Sequence, residues 1–147
     1  MRKALVFSIL LILAGATACS KSKVQDITYQ DYLDKIWDFE QHHDTFVFKG
    51  NTAVIIDFYS KRCGPCMQLL PIMEKMAEEY EGDLTIYKVN ADEETGLAHM
   101  FKVKGLPVIY RIPASGKYIK RHDGLPSEET LRSIIETELL DKPKQDE

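Results

Sequence analysis

Between Ala53 and Tyr59 the chain reads AVIIDFY, an apolar run broken by a single charge at Asp57. A run this short and this apolar predicts a strand buried on both faces of a sheet. Leu84–Val89 (LTIYKV) predicts another strand, and Val24–Ile27 a short one before both. Pro107–Arg111 and Lys117–Arg121 predict two more, joined by a hairpin connection over Ile112–Gly116. Elsewhere the apolar spacing lengthens toward the helical period. Thr28 and Asp31 form a capping signature for a helix that carries Tyr32, Leu33, Ile36 and Trp37 or Phe39 on its apolar face. Leu69, Leu70, Met73, Met76, Ala77 and Tyr80 mark a helix from about Cys63 to Tyr80, and Pro71 inside it predicts a kink. A shorter helix spans about Glu93–Phe101. Ser127 caps a last one, whose stripe is Leu131, Ile134, Ile135 and Leu139.

The resulting order is β-α-β-α-β-α-β-β-α. Early alternation implies parallel strands with helical crossovers, and the late hairpin adds antiparallel ones. The expected fold is therefore α/β: one domain over residues 24–140, with a mixed sheet covered by helices on both faces. Gln41–Asn51 reads as irregular and polar, with Phe46 and Phe48 requiring cover and Lys49-Gly50-Asn51 a turn. Gly124 breaks the chain before the last helix, and residues 141–147 read as a tail.

The first residues belong to a different pattern. Arg2 and Lys3 precede an apolar stretch, Ala4–Ala14, that is too short for a permanent span, and Ala16-Thr17-Ala18 is a small-residue cleavage signal. Residues 1–18 read as an export signal. Cys19 follows directly and resembles the lipidated cysteine of a bacterial lipobox, with Ala16 standing where that pattern usually carries Leu. The expected product is a periplasm-facing membrane lipoprotein, with residues 19–23 as lipidation site and tether. Ordinary cleavage would instead leave a soluble periplasmic protein with a free thiol. Removing residues 1–18 leaves 129, enough for one domain with a core. The remaining 17 basic and 23 acidic residues give a charge of −6, and no basic patch points to nucleic acid.

The chemistry is concentrated in CGPC, residues 63–66. Cys19 lies far upstream, so pairing within the folded domain falls to Cys63 and Cys66. At a helix N-terminus Cys63 meets unpaired N–H groups and the positive end of the helix dipole, which favour the thiolate and make it the nucleophile. Cys66, one turn in, can attack a mixed disulfide formed at Cys63, and Gly64-Pro65 keep the turn tight. Two other readings stand beside this one. A permanent disulfide across so short a loop would stabilise little. A zinc site would need two further ligands, and His42, His43, His99 and His122 are better explained by solvent exposure.

In this order the chain resembles thioredoxin over nearly all of residues 25–140. The resemblance rests on VIIDFYS before CGPC, Pro71 five residues after Cys66, VKGLPVI at 103–109, Gly116 and Gly124. It implies an exchange reaction with Cys63 attacking, Cys66 resolving, and buried Asp57 assisting proton transfer at Cys66. It places Lys88 near that acid, Pro107 as a cis proline facing the cysteines, and the Leu106 backbone against a substrate strand. Arg62, Gly64, Pro65, Leu106, Pro107 and Gly124 are the implied substrate surface. An acid in an apolar strand should titrate above its usual range. The chain departs from the family at Arg62, where tryptophan is usual, at Tyr59-Ser60 for Trp-Ala, and at Met67 for a basic residue. A guanidinium beside Cys63 should favour the thiolate and acidic partners. The implied activity is reduction of protein disulfides, fed by a membrane electron donor, by a monomer without cofactor or metal. Alternatives are a disulfide oxidase or isomerase, and a non-enzymatic substrate-binding or chaperone module.

Overall fold

The computed structural model describes residues 23–140, so the expected export signal, Cys19 and the expected tail lie outside the described residues. Five strands, β1 (Gln25–Asp26), β2 (Ala53–Tyr59), β3 (Leu84–Asn90), β4 (Val108–Ile112) and β5 (Lys120–Asp123), form one sheet in the order β1-β3-β2-β4-β5. β3 runs parallel to both β1 and β2, whereas β4 is antiparallel to β2 and β5 to β4. The helices are α1 (Tyr29–Lys35), α2 (Gly64–Glu79), α3 (Thr95–Met100) and α4 (Glu128–Ile134), the last continuing into a π-helical turn at Ile135–Leu139. No helix of the described residues is long and apolar enough to cross a membrane.

Strand alternation divides the interior into two cores. Ala53 and Ile55 of β2, Leu84 and Ile86 of β3 and Ile109 of β4 face Leu69, Met73 and Met76 of α2 and Leu131, Ile135 and Leu139 at the C-terminus. Val54, Ile56, Phe58, Val89, Val108, Tyr110 and Ile112 face the other way, against Tyr32, Ile36, Leu97 and Phe101. Asp57 has the parity of Ile55, so period two alone directs it toward α2. Its in-register neighbour on β3 is Lys88, of the same parity as Ile86.

Several boundaries depart from expectation. α1 ends at Lys35 with Ile36 as its cap, so Trp37 and Phe39 follow the helix instead of lying on its face. They meet edge to face, 5.8 Å apart, and Trp37 also packs on Phe46, which supplies the cover that the irregular segment needed. β5 begins at Lys120, three residues later than expected, because pairing with β4 sets its register from Val108–Asp123 to Arg111–Lys120. Gly116 turns the chain before it, at φ 62°, where a Cβ would meet Phe48. α2 passes through Pro71 as one helix, and Pro71 is exposed.

Candidate active site

β2 ends where α2 begins. Its last residues, Asp57, Phe58 and Tyr59, together with Ser60, are all buried. Cys63 is the N-cap of α2, with its Sγ 3.2 Å from the Cys66 N–H that points at it. The two cysteines form a disulfide with Cα atoms 5.3 Å apart. Cys66 is 1% exposed, whereas Cys63 is half-buried. Gly64 and Pro65 open the helix on the exposed side, where Pro is tolerated because a first-turn N–H has no helical partner.

Cys66 lines a cavity of about 240 Å³ together with Asp57, Tyr59, Lys61, Met67, Leu70 and Lys88. The structure thus brings the expected acid, the buried cysteine and the expected lysine to one space. Asp57 is 3% exposed, and its Oδ1 has no hydrogen-bond partner among the described residues. Burial pushes its carboxyl up to about 7, against an opposing pull from the Lys88 charge. Lys88 does not pair with it. Its ammonium lies 3.0 Å from Asp26 on β1 and 5.0 Å from the Tyr59 ring centroid. The Tyr59 hydroxyl donates to the same Asp26 carboxylate at 2.8 Å, and burial followed by this hydrogen bond pushes that hydroxyl up to about 12.

Leu106–Pro107 is a cis peptide bond, with Leu106 half-buried and Pro107 buried. The Pro107 carbonyl accepts from the Gly124 N–H at 2.9 Å, and Gly124 takes φ 86°, open to glycine. These two segments, distant in sequence, are therefore tied at the end of the β4–β5 pair. Arg62 is 86% exposed along its side chain, with Asp92 Oδ1 3.8 Å from its Nη2. Ser60 donates to Asp92 at 2.6 Å, and Lys61 pairs with Glu93 at 2.9 Å. Charges of both signs thus rim the cysteine pair. Among the described residues no group of three or more His, Cys, Asp or Glu side chains is arranged to hold a metal.

Asp26 and Asp92 carried no signal in the sequence. Asp26 lies at a strand end and Asp92 in a turn, where acids are ordinarily solvated, and only the fold brings each to the rim of the site.

A disulfide between a half-buried and a fully buried cysteine, at a helix start, can pass two electrons to or from another dithiol, the chemistry of a disulfide oxidoreductase. A model of the thioredoxin family matches residues 35–137. Over 109 residues the chain is 37% identical to thioredoxin of Borreliella burgdorferi, covering 74% of this chain and 92% of that protein. It is 35% identical over 133 residues to the chloroplastic thioredoxin-like protein CITRX of Solanum lycopersicum, covering 90% of this chain and 76% of the relative. The crystal structure of chloroplastic thioredoxin z superposes with a TM-score of 0.62 at 28% identity, over 76% of this chain and 90% of that one. The chain belongs to the thioredoxin family, and its Cys63–Cys66 disulfide fits the two-cysteine redox site of that family's oxidoreductases.

Proposed function

We propose that this protein is an extracytoplasmic reductase of protein disulfides. The observation that carries the reading is the shared cavity, which sets a buried, unpaired carboxyl beside the buried cysteine. In the reduced form the Cys63 thiolate attacks a substrate disulfide, forming a mixed disulfide and expelling one substrate thiolate. Asp57 takes the proton from the Cys66 thiol. The Cys66 thiolate then attacks Cys63 Sγ, closing the Cys63–Cys66 bond and releasing the second substrate thiolate. Two electrons have passed to the substrate, and a dithiol donor must return them. Leu106 offers its backbone and Pro107 its ring to the substrate strand, while Gly64, Pro65, Gly124 and Arg62 border that surface. Lys88 takes its place as a neighbour of Asp57 on β3.

Arg2, Lys3, the apolar run Ala4–Ala14 and Cys19 support export and lipid anchoring, and with it a donor in the membrane. Labelling cells with a fatty-acid analogue should mark the wild-type protein and leave Cys19→Ala unlabelled.

The decisive test is the reduction potential of the Cys63–Cys66 pair, equilibrated against glutathione, together with turnover on insulin. A potential near the thioredoxin value of about −270 mV supports a reductase that must be fed electrons. A value near about −120 mV would replace it with an inserter of disulfides. Cys63→Ser should abolish turnover. Substrate capture that survives this change with no turnover in the wild type would identify a binding module instead.

A further inference from the structure

Lys88 stands in register with Asp57 on the adjacent strand, on the same face of the sheet, and yet its ion pair is with Asp26. The diversion has a structural cause. β1 is two residues long, and it places Asp26 in register with Lys88 on the outer side of β3. Each Asp26 oxygen is engaged, Oδ1 by the Tyr59 hydroxyl and Oδ2 by the Lys88 ammonium. Tyr59 shares parity with Asp57, so hydroxyl, ammonium and both carboxyls converge on one end of β2. Its ring also lies under the ammonium, a second attraction holding Lys88 in this position.

We propose that Asp26 is a positioning residue for the exchange reaction: its carboxylate, clasped by Tyr59, holds the Lys88 ammonium to itself and so leaves Asp57 without an ion-pair partner. The inference rests on the reading of Asp57 as the proton acceptor for Cys66. A carboxylate paired with an ammonium is a weak base at neutral pH, because the ammonium favours its charged form. An unpaired one in an apolar setting titrates near neutrality, where Asp57 stands. The other groups around Asp57 are accounted for. On β2 they are Tyr59 and, beyond the strand end, Lys61, whose charge is met by Glu93. From α2 they are the uncharged Cys66 and Met67, and from β4 the in-register neighbour is Ile109. Burial sets the Asp57 carboxyl high, Lys88 is the cation that opposes it, and the ion pair of Lys88 is with Asp26.

The test is the titration of the Asp57 carboxyl by carbon NMR in the oxidised full chain, where neither cysteine of the pair titrates. Asp26→Asn keeps the shape and an acceptor for Tyr59 while removing the charge. The Asp57 midpoint should fall by about half a pH unit or more, both because a negative charge is lost and because Lys88 is released toward Asp57. Asp26→Glu should keep the midpoint near the wild-type value. In a Lys88→Gln background the Asp26→Asn shift should be clearly smaller, since only the direct loss of a negative charge remains. In turnover on insulin, the acid limb of the pH profile should shift in the same direction in Asp26→Asn. An unmoved midpoint in Asp26→Asn overturns the proposal, as does an undiminished shift in the Lys88→Gln background. Wild-type protein inert on insulin would overturn the reductase reading and leave the titration result standing.

Discussion

Two charged side chains are buried on the same face of the sheet, and their surroundings could hardly differ more. Arg111 on β4 pairs in register with Ile55, two residues from Asp57 on β2. It gives Nε and Nη2 to the Glu138 carboxylate at 3.2–3.4 Å, leaving Nη1 without a partner among the described residues. Lys120 joins the same carboxylate at 2.9 Å. Burial pushes the Glu138 carboxyl up, but the Lys120 hydrogen bond and the charges of Arg111 and Lys120 outweigh it and hold it below the usual range. Asp57 has no such counter-ion. A buried charge with a partner belongs to the fold, whereas one left without a partner costs stability and is a signature of chemistry. Burial alone does not distinguish the two.

The comparison breaks most sharply at Asp57. Asp57→Asn should slow insulin reduction at pH 7 by about 10²-fold, the scale of one lost general base. It should also change the pH dependence of stability. The folded-state carboxyl titrates at about 7, above the ordinary 3.8, so the folded form holds its proton more tightly than the unfolded chain. Stability is therefore highest below the unfolded value and is lost as pH rises through the folded one. Denaturant melts of the wild type should weaken between these limits by at most on the order of 4 kcal/mol, while Asp57→Asn lacks that loss. A wild-type stability that stays flat over this window would remove Asp57 from the unpaired class.

Glu138→Gln tests the other half. Removing the counter-ion of Arg111 should destabilise the protein by about 1–3 kcal/mol and leave the turnover of the folded protein unchanged. A loss of turnover without loss of stability would mean that Arg111 is more than a tie between β4 and the C-terminal helix.

Arg62→Trp should have the smallest effect. Its guanidinium is exposed and shared with Asp92, so its hold on Cys63 is screened. Alkylation of reduced Cys63 should move to higher pH by less than about one unit, with wider substrate use. An unmoved alkylation profile would show that Arg62 does not act on the thiol.

Much of this was legible along the chain. The apolar run of β2 announced a doubly covered strand, and its one acid was conspicuous there. Thr28 and Asp31 announced a capping box, which the structure contains. The CGPC motif located the cysteine pair, and the resemblance to thioredoxin implied the cis bond that Leu106–Pro107 adopts. Where local rules failed, a non-local contact had decided. α1 stops before Trp37 because that ring finds cover on Phe46, nine residues away, rather than on a helix face. β5 starts late because its ladder with β4 sets its bounds, not its own alternation.

The sequence by itself determined which residues alternate, which helix begins with a cysteine and which strand buries an acid, because these follow from side-chain periodicity and capping within a few residues. Only the tertiary structure decided the charge partners. Lys88 is equally close in register to Asp57 and Asp26, and Arg111 looks like any strand-end cation until Glu138 arrives from the C-terminus. Ion pairs depend on a few ångströms between chain segments far apart in sequence, and no local pattern encodes that distance.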